Sequence, residues 1–291
     1  MYSIYISLAV GLVIAALYKL IGGSEATWGV GVFFFLGFTG CFIYVSRRVS
    51  NKVLAVVGKM QEHMQAGSES IQKKINGAKT RPGLNEGAFR KTLEAAQKQT
   101  SLDALEILKE ADALGKWNFL VPKQIAAIRL QLLHGIKMFD EADQLRSKVS
   151  LSDPTAASMV LARIWMTQPL PQKADAATIA EWEGTKVYLK SINSIMAPKG
   201  SPSSFVYGTY AWMLLKAGLE EKAQEVLEAG IKKFADPVLQ NNLDLIRNKS
   251  AAKFSNAAFA ERWYALHLEE PAREKPRVQQ VRQGRGGMPY F

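Results

Sequence analysis

The first forty-five residues alternate between nothing: they are apolar almost throughout, and only beyond them does a regular rhythm of apolar and polar positions begin. Tyr2–Tyr18 forms one apolar run, carried past Lys19 by Leu20 and Ile21, and Trp28–Val45 forms a second. A helix rises about 1.5 Å per residue, so a run of about 17–20 residues crosses a hydrocarbon core of about 30 Å. Residues 22–27 between them (GGSEAT) have room only for a tight turn, so the spans are expected as antiparallel neighbours. Gly11 with Ala15 on the first, and Gly37 and Gly40 on the second, offer small positions where two backbones can approach closely. Tyr2, Tyr5, Tyr18, Trp28 and Tyr44 lie toward the ends of the runs, where amphipathic rings favour the headgroup level. A cleavable signal peptide competes for the first run. Its opening MYSIYIS has no Lys or Arg, and a second span follows at once.

Behind the second span the 3–4 spacing appears. Val49, Val53, Val56, Met60, Met64, Ile71 and Ile75 form one stripe over residues 46–75, which predicts a basic amphipathic helix continuing the span. Three roles stay open for it: packing on the rest of the chain or a partner helix, lying on anionic lipid, or merely carrying the charges that set topology. Residues 76–87 (NGAKTRPGLNEG) look like a linker, with Gly77, Pro82, Gly83 and Gly87 expected to break the helix.

From residue 88 to 268, helical patterns alternate with short breakers and no strand-like alternation occurs. The pattern predicts helices near 86–99, 101–114, 121–136, 138–149, 154–167, 175–196, 203–217, 219–234, 237–248 and 255–268. Ser101, Asp153 and Ser203 stand as candidate caps before three of them. Short connections between consecutive helices imply antiparallel pairs. The tail, 269–291, is rich in Pro, Gly and charge and is expected to be extended or disordered.

Charge sharpens the topology. The net charge is +11, but residues 1–45 contain only Lys19 and Glu25, whereas residues 46–100 carry eleven Lys/Arg against four Glu. The turn between the spans has no basic residue, while Arg47, Arg48, Lys52 and Lys59 follow the second span. The positive-inside rule then puts both termini and the helical domain on the cytoplasmic side. Charge gathered at one membrane edge is not the coating of a nucleic-acid-binding domain. Neither DNA nor RNA is expected as a partner.

Chemistry is hard to find. The chain has no Walker-type glycine loop, no GxGxxG after a strand, no HExxH and no CxxC. His63, His134 and His267 are far apart in sequence, and Cys41, the one cysteine, sits inside the second apolar run as a small packing residue. No catalytic residue, metal site or cofactor is expected, and an enzyme is disfavoured.

The segment from Ser204 to Pro237 (SFVYGTYAWMLLKAGLEEKAQEVLEAGIKKFADP) resembles a tetratricopeptide (TPR) repeat. Ala211 takes the small position of the first helix, Gly218 the turn, Ala223 and Gly230 the small positions of the second. Small side chains are needed where paired helices cross. The closing Pro237 comes two residues later than the family pattern. Lys123–Pro154 matches more loosely, through Phe139, Ala142 and Pro154, with Leu130 where the family has a small residue. Ser101–Ala111 resembles another second helix through Ala104 and Ala111. The intervals are unequal, so no strict period holds. The resemblance implies an all-α fold in which a transmembrane helical hairpin is followed by a TPR-like α-solenoid of antiparallel helix pairs. It also implies a groove for protein partners, onto which Gln124, Gln131, His134, Trp212 and Lys216 carry over as candidate contacts. The layout resembles bacterial inner-membrane proteins with two spans before TPR repeats, such as the HemY type. The expectation is a scaffold or assembly factor at the cytoplasmic face of the inner membrane, binding subunits or substrates of a membrane complex and touching lipid. The alternative is a permanent non-catalytic subunit of such a complex.

Overall fold

A computed structural model describes residues 1–22, 27–79, 86–194 and 203–271. Every regular element among them is helical and none is a strand. The turn between the apolar runs, residues 80–85 of the linker, the breaker at 195–202 and all but the start of the tail lie outside the described residues.

Helix α1 (Tyr2–Gly22) and the first part of α2 (Thr27–Lys79) are each long and apolar enough to cross a membrane, and they pack along each other. A Cβ on Gly11 would meet the Phe34 backbone oxygen at 2.9 Å, and one on Gly37 would meet Ile14 Cδ1 at 2.6 Å. Tyr18 stacks on Phe33 with ring centroids 4.3 Å apart. Ala15 is buried in the same seam. Gly40 has open space where a Cβ would stand, so it takes no part in this contact.

Helix α2 does not stop at the end of its apolar part or at Gly77; it runs unbroken to Lys79. Gly costs a helix only about 1 kcal/mol relative to Ala, so Gly77 alone does not end it. Of the roles open to the stripe, the structure selects packing on the chain itself. Val49, Val53, Val56 and Met60 are buried with Ala104, Leu108, Ala111, Val121 and Ile125 in a core of their own. Helix α3 (Glu86–Leu108) returns along α2. Thr100 fills the space beside Gly67, and Lys59 pairs with Glu110 at 3.2 Å.

The two helices expected over 86–114 are thus one helix ending in a 3₁₀ segment, Lys109–Lys116. Ser101 is no cap: it lies in the middle of α3, buried, because its small side chain faces the packed side of that helix. Asp153 does cap, accepting from the backbone N–H of Thr155 and Ala156 ahead of Pro154.

The main core gathers α4 (Leu120–Gly135), α5 (Phe139–Asp143), α6 (Pro154–Thr167), α7 (Ala176–Glu181), α8 (Glu183–Ser194), α9 (Ser204–Lys216), α10 (Glu220–Phe234), α11 (Pro237–Arg247) and α12 (Glu261–Tyr264). Helix α9 is its axis. Every residue from Ser204 to Leu214 is buried, as expected of a helix apolar on all sides. Helix α6 packs on one flank of α9 and α10 on the other; α4 packs beyond α6, and α11 beyond α10. Gly218 makes the α9–α10 turn at φ +74°, a left-handed conformation that costs a glycine nothing.

Three expected helices are cut short or interrupted. The 138–149 helix ends at Asp143 and continues as turns. The 175–196 helix breaks at Trp182, whose indole donates to the Gln168 carbonyl at 2.8 Å and lies across Gly184, where any Cβ would collide with the ring. The C-terminal 255–268 segment is a chain of short turns around Trp263, which is fully buried.

Candidate functional site

The residues carried over from the repeat resemblance fall into three environments. Gln124 is exposed on α4. Gln131, one helical stretch later, donates to Asp153 Oδ2 at 3.0 Å and so braces the cap of α6. His134 and Trp212 are interior side chains, at 0% and 5% exposure, and present little surface to any partner.

Trp212 donates from Nε1 to Glu269 Oε1 at 2.7 Å, and its ring packs edge-on against Trp165 and Trp263. Lys216 is exposed, with Nζ 5.2 Å above the Trp212 ring. Trp212 and Lys216 together border a cleft of about 240 Å³ closed by Glu220, Ala251 and Phe254. The other three candidates do not join them there.

His134 finds an unexpected companion in His267. The rings stack at 5.3 Å with a 17° tilt, Phe139 sits edge-on to both, and His267 Nε2 lies 3.0 Å from the His134 carbonyl oxygen. Neither ring nitrogen of His134 has a hydrogen-bond partner of good geometry among the described residues, the Ala265 backbone being a polar influence beside it. Burial, followed by the nearby His267, lowers the His134 pKa to about 4, against a smaller opposing pull from the Ala265 backbone. His267 is lowered too, chiefly by burial. Both imidazoles are therefore neutral packing groups near pH 7. Among the described residues no three His, Cys, Asp or Glu side chains converge on one point that would hold a metal.

Two wider clefts lie elsewhere on the helical domain. A cleft of about 440 Å³ between the α5 region, α6 and α8 is lined by Asp143, Arg146, Val160, Glu183, Lys186 and Lys190. Its charges are partly tied: Arg146 bonds Glu183 at 2.8 Å, and Arg163 forks onto Asp143 at 3.0 and 2.7 Å while stacking over Phe139. The Arg163 guanidinium holds the Asp143 carboxyl below its usual range. Lys186 and Lys190, one turn apart on α8, are left to face the opening. A second open cleft, about 520 Å³, is bordered by Lys91, Glu94 and Lys98 of α3, Lys137 and His267. Both are solvent-open clefts whose lining mixes charged and apolar side chains.

Just past the apolar part of α2, Arg47, Arg48 and Lys52 are exposed, and Lys59 is engaged with Glu110. Sequence reasoning missed Glu269, which accepts from two buried indoles, because nothing in a run of charged residues distinguishes one carboxylate from the next. It also missed the exposed Trp117, Phe119 and Leu120. Their clustering (WNFL) was the available signal. Compared with family models, curated proteins and solved structures, the chain matches none of them.

Proposed function

We propose that this protein is a membrane-anchored, non-enzymatic interaction scaffold or assembly factor, holding a TPR-like helical surface at the cytoplasmic face of a bacterial inner membrane. The observation that carries this reading is the continuity of α2. One helix leaves the apolar hairpin and becomes a wall of the domain's own core through Val49, Val53, Val56 and Met60. An anchor on a flexible tether would only raise local concentration, whereas one built into the core also sets the orientation of the attached surface. Arg47, Arg48 and Lys52, exposed at the start of the basic stretch, favour the cytoplasmic side.

The solenoid reading is supported by the neighbour order α4, α6, α9, in which the first helices of successive pairs pack side by side. The partner surface would include the cleft bordered by Arg146, Lys186 and Lys190, with the Trp212–Lys216 cleft as a second contact. The exposed lysines favour an acidic segment of a protein partner.

Affinity capture with crosslinking from native membranes tests the reading. A specific protein partner, recovered with the wild-type chain and lost with Lys186→Glu/Lys190→Glu, is the expected result. Failure to recover any specific partner would reject it. Stoichiometric comigration on native electrophoresis would instead assign a permanent subunit of a complex. Protease accessibility of the domain in inside-out and right-side-out vesicles tests its side of the membrane.

A further inference from the structure

Outside the apolar hairpin, the exposed large apolar side chains among the described residues are few: Leu54, Trp117, Phe119, Leu120 and Leu189. Three of the five fall within four consecutive residues, at the junction between the 3₁₀ segment and α4. An isolated exposed leucine calls for no explanation, but a clustered Trp-x-Phe-Leu does.

The position of this junction gives the explanation. The Trp117 backbone oxygen accepts from both the backbone N–H and the hydroxyl of Ser3, and the Trp117 ring meets Tyr2 edge-on at 5.6 Å. The junction is therefore pinned to the first turn of α1. Gly11, near the middle of the apolar stretch Tyr2–Ile21, marks the middle of that helix. Nine residues separate Tyr2 from Gly11, a rise of about 14 Å, which is half of a hydrocarbon core of about 30 Å. With Gly11 at the bilayer midplane, Tyr2 and the junction tied to it lie at the boundary between acyl chains and headgroups. Indole and phenyl rings favour that level. The charges around it agree. Lys116 and Lys123 flank the junction and are exposed, and the antiparallel hairpin brings Arg47, Arg48 and Lys52 of α2 near the same end of α1.

We infer that residues 117–120 are a third membrane contact, a loop whose Trp117, Phe119 and Leu120 enter the cytoplasmic-side lipid interface while Lys116 and Lys123 face the headgroups. The inference rests on α1 and α2 crossing the bilayer. A protein occupant is disfavoured because the patch is small and continuous with the apolar surface of α1, which only lipid or another span can cover.

The test uses the full chain in nanodiscs with Cys41→Ala, carrying a single environment-sensitive fluorophore on Phe119→Cys. Leu36→Cys, in the apolar part of α2, and Glu221→Cys, exposed on α10, serve as references. Quenchers are lipids carrying nitroxide either near the headgroup or deep in the acyl chain. The expected result is blue-shifted emission at residue 119, quenched more by the shallow lipid than by the deep one. Leu36 should be quenched more by the deep lipid and Glu221 by neither. A label at 119 that emits as in water, like that at 221, while Leu36 is quenched by deep lipid, overturns the loop contact and leaves the two spans standing. Blue-shifted emission at 119 that neither lipid quenches also overturns it, because protein rather than lipid then covers the patch. Loss of deep quenching at Leu36 removes the spans and the inference with them.

Discussion

Trp212 and Trp263 donate their indole N–H groups to the two oxygens of one carboxylate, Glu269, at 2.7 and 2.8 Å. Trp212 belongs to the central helix of the domain and Trp263 to the last short one, so this carboxylate fastens the C-terminal segment onto the core. Glu269→Ala strands two buried donors. Each unsatisfied buried N–H costs roughly 1–3 kcal/mol, so we expect about 3 kcal/mol lost in denaturant unfolding followed by tryptophan fluorescence. Glu269→Gln retains one acceptor oxygen and should lose about half as much. Equal stability of all three proteins would show that the clamp contributes nothing.

The glycines of the hairpin are not equivalent. At Gly11 an added methyl meets the backbone oxygen of Phe34, which cannot move without its helix; at Gly37 it meets the flexible tip of Ile14. At Gly40 it meets open space. Overpacking of this kind costs about 1–3 kcal/mol. Thermal unfolding in micelles should therefore rank Gly11→Ala as most damaging, Gly37→Ala as intermediate and Gly40→Ala as close to wild type. A loss at Gly40 as large as at Gly11 would contradict the observed seam.

How much of this was legible in the sequence depended on whether the deciding force was local. Apolar run length and 3–4 spacing are local, so both long N-terminal helices and the stripe on α2 could be read directly. What the stripe packs against could not be, since Ala104, Leu108 and Val121 lie more than forty residues beyond Met60 and carry no mark of partnership. Asp153 was legible as a cap because capping joins neighbours in sequence. Ser101 misled because a small residue in a packed seam looks the same as a cap until the helix on each side is known. Among the site candidates, Trp212 and His134 were found by repeat register, which locates a helix position but not the direction from which other elements cover it.

The stripe makes α2, and with it the apolar hairpin, part of the domain's stability. A fragment beginning at residue 86 lacks it and uncovers Ala104, Leu108, Ala111, Val121 and Ile125. A fragment beginning at residue 46 keeps it. The shorter one is expected to bind a hydrophobic dye and to elute as aggregate in size-exclusion chromatography, and the longer one to do much less of both. In the full chain, Val53→Asp places a charge in the same core and should loosen α3, read as faster hydrogen exchange across residues 96–108. Large single substitutions of this type cost several kcal/mol when the charge has no partner. Unchanged exchange in α3 would mean that α2 and the domain are stabilised separately.

The His134 imidazole makes stability depend on pH in a defined window. In the unfolded chain a histidine takes up its proton near pH 6.5, whereas in the folded protein burial and His267 delay that uptake until about pH 4. Between those values the unfolded state binds more protons, so stability rises with pH; it is complete above about 6.5 and drains away as pH falls toward 4. A displacement of this size corresponds to about 3 kcal/mol at the acidic end. His267, lowered in the same direction, adds to the slope. Asp143 acts only further down: its lowered pKa supports stability above the usual carboxylate range, and that support is lost as pH drops through its folded value. Replacing His134 with Phe keeps an aromatic ring between Phe139 and His267 but removes the titration. Denaturant midpoints measured from pH 7 to pH 4 should fall steeply for the wild type and less steeply for His134→Phe, with the residual slope due to His267. Parallel curves for the two proteins would show that His134 is already solvated in the folded state.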